Sequence, residues 1–418
     1  VYVGNNGGIF KSSDAGATWI DKSGGGLSIT QFYRIGVSAQ NPNIVIGGSQ
    51  DNGTSFLRNN TWRRVIGGDG MDCLINFSNS NYMYGNIQNG NMQRSYNGGL
   101  TWVDANSGVG EESRAWAAPF VINHQNPSTL FRATTMIYKT TNHGANWFAI
   151  SSQIGGASPL TSLAVAPSDS NYLYLSNGTS LYRTTNSGAN WNRMTTAPSS
   201  ISRIAVHPTN PEHLWLTVEG YSANNKVFVS TNAGTTWSNL SAGLPNIPVN
   251  CVAVHPNQPL QVYIGTDLGV FVSNTGGGNW INFSQGLPSV IVDDLEIQLG
   301  ADVLVAGTFG RGVWLSPLEV FNTTGEAKPE LPNTVRIHAY PNPFNPVTDL
   351  RITVPQRGNL QLAIYDNNGR MVKELANAKH EVGVYFYQFD ATELSSGIYF
   401  ARASMENVTI TEKLSLLK

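Results

Sequence analysis

The residues best suited to chemistry in this sequence are carboxylates in short polar loops. Asp51 lies in Gln50-Asp-Asn-Gly53, Asp69 and Asp72 lie in Gly67-Gly-Asp-Gly-Met-Asp72, and Glu111 and Glu112 are adjacent. Two carboxylates facing one sugar, about 5 to 9 Å apart, could hydrolyse a glycosidic bond, one as acid and the other as base or nucleophile. The Gly-Asp-Gly and Gln-Asp-Asn-Gly loops would also offer oxygens to calcium, but neither has a known loop spacing, and tight turns are the simpler reading. No other cofactor and no metal site is expected. His207 and His255 precede Pro at equivalent repeat positions, which is repeat structure rather than a cluster of zinc ligands. Gly24-Gly-Gly26 lacks the strand–loop–helix setting of a phosphate cradle.

The elements that must position these residues are set by a repeat. Six copies of one eight-residue phrase occur, beginning at Ser12, Ser95, Thr140, Thr184, Ser230 and Ser273. Each pairs a short polar residue with a Trp five positions on: Asp14 and Trp19, Asn97 and Trp102, Asn142 and Trp147, Asn186 and Trp191, Asn232 and Trp237, Thr275 and Trp280. Trp62 stands where a degenerate copy belongs, so the Trp steps are 43, 40, 45, 44, 46 and 43 residues. The phrase predicts a β-turn: the polar side chain accepts backbone N–H groups ahead of it, Gly takes a positive φ, and Trp opens the next strand and fills the space between sheets. A period near 45 with several short strands per unit predicts an all-β propeller.

Each unit parses into four strands, with inner strands such as Arg34-Ile-Gly-Val, Leu163-Ala-Val-Ala, Arg203-Ile-Ala-Val-His-Pro and Cys251-Val-Ala-Val-His-Pro. Three strands precede the first complete unit, six complete units follow, and three strands end the array near residue 318. An eight-bladed ring, completed by a segment upstream of Val1, is the preferred expectation; a seven-bladed ring is the alternative. In either ring, the loops after the second and fourth strands share one end. Asp51, Asp69, Asp72, Glu111, Glu112, Glu219, Asp267 and Arg311 fall there, the first five on consecutive units and so expected together. Aligned inner strands place Arg34, Asp72, Ser162, Arg203, Cys251 and Asp294 at one level, a mixed-charge collar suited to a polar ligand.

The repeated phrase resembles the Asp box, or BNR repeat, of sialidase-like and VPS10/sortilin-like propellers. Gly307-Thr-Phe-Gly-Arg-Gly-Val-Trp314 is similar to the closing phrase of VPS10-like members. The resemblance implies a fold, since the box is a structural device wherever it occurs. Tyr33-Arg-Ile-Gly36 is similar to the sialidase Phe/Tyr-Arg-Ile-Pro motif, but Gly replaces Pro, and the ordinary inner-strand register accounts for it. Xyloglucanase-type propellers share Asp boxes, yet no motif matches their catalytic aspartates.

Residues 335–418 read differently: they contain no Asp box and no Trp. Alternating strands are predicted over 349–354, 360–365, 385–389, 398–403 and 409–416, with a hairpin turn at Asp366-Asn-Asn-Gly369. A small Ig-like antiparallel sandwich is expected there, after a linker over 319–334. Tyr340-Pro-Asn-Pro-Phe-Asn-Pro346, Ile364-Tyr-Asp-Asn-Asn-Gly-Arg-Met-Val372, Ser396-Gly-Ile-Tyr-Phe400 and Lys413-Leu-Ser-Leu-Leu-Lys418 stand in order. Together they resemble the type A C-terminal sorting domain of the Bacteroidetes type IX secretion system. That resemblance implies export across the outer membrane, with the type IX machinery as partner, followed by release or surface attachment.

Composition agrees with an exported β protein. Charged residues are 12%, Gly is 43 of 418, and net charge is −2, so no footprint for nucleic acid or anionic membrane is visible. No apolar run approaches the roughly 20 residues of a spanning helix. Cys73 and Cys251 belong to inner strands of well-separated units and read as small buried residues rather than a disulfide. The chain opens on a Val inside a strand, which points to an earlier segment removed or missing. The function expected is a secreted or surface-attached propeller acting as a non-catalytic binding or structural module for an extracellular protein or glycan. The alternative is a secreted glycoside hydrolase using acidic residues at the channel mouth.

Overall fold

A computed structural model describes residues 1–418 apart from 6–7, 23–28, 60, 195–197, 199, 319–334, 341, 355, 382, 407 and 418. The expected linker and Gly24-Gly-Gly26 therefore lie outside the described residues. The chain divides into two compact units, Val1–Leu318 and Glu319–Lys418.

The first unit is built from antiparallel meanders. Seven sheets each begin with an inner strand: Phe32–Val37, Gly70–Ile75, Phe120–Ile122, Ser162–Val165, Ile201–Val206, Val249–Val254 and Val292–Gln298. Six of these sheets have four described strands and the seventh has three. Each inner strand contacts the next, and the seventh returns to the first. At that seam the Ile35 N–H donates to Asp294 Oδ2 at 2.9 Å and Gln298 Nε2 donates to the Ser38 carbonyl at 3.1 Å. Phe32 and Ile35 pack against Val303 and Val305 across it.

The ring thus closes on seven blades, which corrects the preferred expectation of eight. The three leading strands, Tyr2–Asn5, Gly8–Lys11 and Ile20–Asp21, form a sheet of their own. Strand counting could not decide whether they entered the ring; the direct packing of the first blade on the last does. Trp19, just before the third of these strands, is 41% exposed.

Burial explains the strand pattern. The second strands, such as Val45–Ser49, Leu214–Val218 and Val262–Thr266, are buried at every position because blades cover both faces. Outer strands shrink to exposed pairs such as Val103–Asp104 and Ser238–Asn239. Gly48 lets two blades meet: a Cβ there would lie 2.0 Å from the Met71 carbonyl oxygen.

The repeated turns have one geometry. In the second copy, Ser95 Oγ donates to Asn97 Oδ1 at 2.9 Å, the Gly99 N–H donates to Ser95 Oγ at 3.0 Å, and the Thr101 N–H donates to Asn97 Oδ1 at 3.0 Å. The same three bonds recur around Asp14, Asn142, Asn186 and Asn232. The Thr275 copy retains the first two contacts. Two successive residues take positive φ, as at His143 (56°) and Gly144 (76°), a tighter demand than Gly alone. The leading Ser or Thr of every copy is buried. Trp147 and Trp280 reach back one blade, their indole N–H donating to the Ala105 and Leu240 carbonyls at 2.9 and 2.7 Å.

The second unit holds two antiparallel sheets over one core. One orders Arg336–Tyr340, Val347–Val354 and Gly383–Asp390; the other orders Met371–His380, Gly358–Tyr365, Gly397–Met405 and Val408–Leu416. Leu350, Ile352, Leu362, Ile364, Phe389 and Ala401 are among the residues that fill the space. The Asp366 turn forms as expected, with the Asn368 and Arg370 N–H groups donating to Asp366 Oδ1. The strands Arg336–Tyr340 and Met371–His380 lie beyond the predicted set. The latter is a sheet edge with Lys373, Glu374 and Lys379 exposed, so it lacks the apolar alternation that marks a buried strand.

Candidate functional site: the charged mouth of the ring

Five inner strands carry one extra residue at their entry, a β-bulge against the second strand. The extra positions include Tyr33, Ser202, Asn250 and Asp293, and Asp72 occupies the corresponding place in the second blade. All five are half-buried. A bulge breaks the strict in–out alternation and re-aims a side chain, so two successive residues of a strand can face the channel. Arg34, Arg203 and Asp294 follow the bulges and are half-buried too.

The expected collar is corrected on two points. Cys251 and Ser162 are buried, each at 2% exposure. Cys251 Sγ donates to the Val292 carbonyl at 3.7 Å, and Asn250 takes the place at the mouth. Asp72 belongs to the row of extra residues with Asn250 and Asp293, while the buried Cys73 shares the register of Cys251 and Asp294. Both cysteines are free thiols in the blade core.

The mouth gathers four acids within electrostatic reach of one another or of the Arg34 guanidinium. Arg34 Nη1 donates to the Asp293 carbonyl at 3.1 Å. Burial pushes Asp72 up to about 7; Arg34 opposes the shift and Asp294 adds to it. Asp72 Oδ2 also accepts the Phe120 N–H at 3.4 Å. Asp294 is raised to about 6 by burial, against the pull of Arg34 and the Ile35 N–H. Asp293 is raised to about 6 for the same first reason, again opposed by Arg34. Glu296 is pushed well above the usual carboxylate range by burial, then by Asp294 and Asp72. These groups touch solvent within the channel yet have protein all around them, and that enclosure is what desolvates them.

The loops above the mouth bring some predicted residues together and separate others. The Asp51 N–H donates to Asp69 Oδ1 at 2.6 Å, and the Asp69 N–H donates to Gln88 Oε1 at 2.9 Å. Asp51 adopts a φ of 56°, a conformation Asp tolerates in turns. Tyr33 donates its hydroxyl proton to Gln50 and hydrogen-bonds Trp116. Asp267 accepts from Asn250 Nδ2 at 3.1 Å and from the Tyr221 hydroxyl at 3.2 Å. Glu112 instead accepts the Tyr138 hydroxyl at 2.7 Å, on the third strand of its blade, and Glu111 is exposed. Arg311 is exposed and donates to the Gly310 carbonyl at 3.0 Å. The Glu219 N–H is held by the Ser200 carbonyl at 2.9 Å.

Asp293, Glu296, Asn250, Trp116 and Tyr221 join the candidate site only in the structure. Glu296 carried a signal, since it lies two positions after Asp294 and strands return to the same face every second residue. Asp293 and Asn250 carried none, because a bulge leaves no mark in the pattern. Among the described residues, no three His, Cys, Asp or Glu side chains converge as metal ligands.

Residues 135–247 match the family described as sortilin, neurotensin receptor 3, and residues 338–416 match the secretion system C-terminal sorting domain. The chain therefore carries a BNR-type propeller of the sortilin/Vps10 kind and a tail that directs secretion through the type IX system of Bacteroidetes. No helix is long and apolar enough to cross a membrane among the described residues. A xyloglucanase of Hypocrea jecorina (strain QM6a) is 28% identical over 181 residues. That match covers 42% of this chain and only 20% of the xyloglucanase's length. YCF48 from Cyanidioschyzon merolae superposes with a TM-score of 0.54 at 16% identity, over 70% of this chain and 96% of that one. A GH74 xyloglucanase from Xanthomonas campestris superposes with a TM-score of 0.57 at 14% identity, over 86% of this chain and 59% of that one. At such identities the likeness to the two structures is one of fold.

Proposed function

We propose that this secreted propeller is a non-catalytic binding module that holds an extracellular protein or glycan at the loop-bearing end of its ring. One observation carries the reading: most of the candidate acids are committed to holding the fold. Asp69 receives the Asp51 N–H, Asp294 the Ile35 N–H, Asp72 the Phe120 N–H and Glu112 the Tyr138 hydroxyl. A hydrolase needs two carboxylates turned towards one sugar. Here the predicted catalytic acids are divided between the channel interior, the loop pair Asp51–Asp69 and the flank of a blade, and the acids that do gather in the channel are enclosed by its walls. What the loop end offers a partner is polar loops with aromatic rings: Trp116 is 50% exposed and Tyr221 is 68% exposed. Such rings are the usual anchors of recognition surfaces.

A glycoside hydrolase is the second reading. Asp72, held near 7, would keep a proton at neutral pH as a general acid must, and the partial xyloglucanase similarity points the same way. A polysaccharide panel separates the two. The purified chain is scored for retention on each polymer and for new reducing ends, beside a variant carrying Asp51→Asn and Asp72→Asn. Retention without hydrolysis supports the binding reading. Hydrolysis that the double variant loses overturns it.

A further inference from the structure

The channel changes character below the charged mouth. Its lower half is a funnel of about 610 Å3 walled by residues from all seven inner strands, among them Leu74, Val121, Leu163, Ala205, Val252 and Ile297. That volume falls within the range of small-molecule sites. Among the described residues, Glu296 is the one acid in this wall. The wall's other polar side chains are occupied. Gln298 holds the seam through the Ser38 carbonyl. His124 stacks on Phe77 at 5.2 Å between ring centroids, and burial holds it towards its neutral form.

Glu296 differs from its neighbours in the groups that set its acidity. Asp72, Asp293 and Asp294 each feel Arg34. Glu296 is raised first by burial and then by the carboxyl groups of Asp294 and Asp72. A carboxyl group so placed, at the head of an apolar funnel and below two more acids, is complementary to a positive charge on a hydrocarbon stem.

We infer that the funnel is a binding site for an aliphatic amine, its stem against the apolar wall and its ammonium donating to the Glu296 carboxylate. The funnel lies below the mouth rather than among the loops. Apolar contact supplies affinity, each buried methylene being worth about fourfold. The carboxylate supplies selection, because a buried charge is tolerated when a counter-charge pairs with it.

Calorimetric titration of the full chain with octylammonium, butylammonium, octanol and octanoate tests this. Octylammonium should bind at least tenfold tighter than octanol and more than tenfold tighter than butylammonium, and octanoate should bind weakest of the eight-carbon probes. Glu296→Gln keeps the shape and removes the charge, so it should abolish the advantage of octylammonium over octanol and leave octanol unchanged. Ala205→Phe, which fills the funnel, should weaken both. Octylammonium binding no better than octanol in the unaltered chain overturns the inference without recourse to any variant. So does an advantage that survives Glu296→Gln.

Discussion

Asp72 shows how the fold sets the chemistry of a single residue. Its carboxyl group is held near 7 because channel walls replace most of its water, and Arg34 recovers only part of the loss. The sign of the pH dependence follows. A carboxyl group whose folded pKa exceeds its unfolded value, near 3.9, binds more protons in the folded state between those values. Stability therefore falls as pH rises through that window. Asp293 and Asp294, each raised to about 6, act in the same direction. We predict that the melting temperature of the propeller declines from pH 4 to pH 8. Asp72→Asn should raise it at pH 8 and leave it nearly unchanged at pH 4, where the aspartate is already neutral. Scanning calorimetry across that range checks this; an Asn variant less stable at pH 8 contradicts it. The candidacy of Asp72 was legible in its loop motif. Its altered acidity was not, because desolvation depends on blades remote in sequence.

At the scale of one element, the repeated turn is a closed hydrogen-bond unit rather than a flexible loop. The buried hydroxyl of Ser95 receives the Gly99 N–H and bonds Asn97. Ser95→Ala leaves that N–H buried without an acceptor, so a loss of about 1–3 kcal/mol is expected in denaturant unfolding. Gly48→Ala should cost more, at least about 3 kcal/mol, because a Cβ 2.0 Å from the Met71 oxygen forces two blades apart. If the alanine variant unfolds at the same denaturant concentration, the blades are not in the close contact described. The turns were legible in the eight-residue phrase since all their partners lie within five positions. The bulges at the channel mouth were not: they depend on how inner and second strands are paired. That is why the apolar pattern puts Asp72 a row away from where it stands, and why Asn250 rather than Cys251 lines the mouth.

At the scale of the whole molecule, the ring and the tail are separate compact units with their own cores. Removing residues 335–418 should leave the melting transition of the propeller intact while ending its release outside the cell. Fractionation of producing cells, with circular dichroism on the truncated chain, measures both. A truncated chain that still reaches the medium would detach the tail from export. Ring closure belongs to this scale as well. Seven inner strands meet because Asp294 and Gln298 of the last blade bond directly to the first. That leaves the three leading strands to form a sheet outside the ring.

What the residues determine locally was readable in order: turns from polar and Gly positions, strands from apolar runs, the repeat from its period, and the tail from its phrases. Each rests on contacts between near neighbours in the chain, or on a pattern repeated often enough to be recognised. What the tertiary structure alone decided is which distant residues share an enclosed space. The Ile35 N–H meets Asp294 across 259 positions of sequence, and Glu296 heads an apolar funnel to which seven strands contribute. The physical reason is that blade number and bulge register are set by how sheets pack around a closed circle. A one-residue shift in either moves a charge from the channel into a blade, and no local preference of the chain records it.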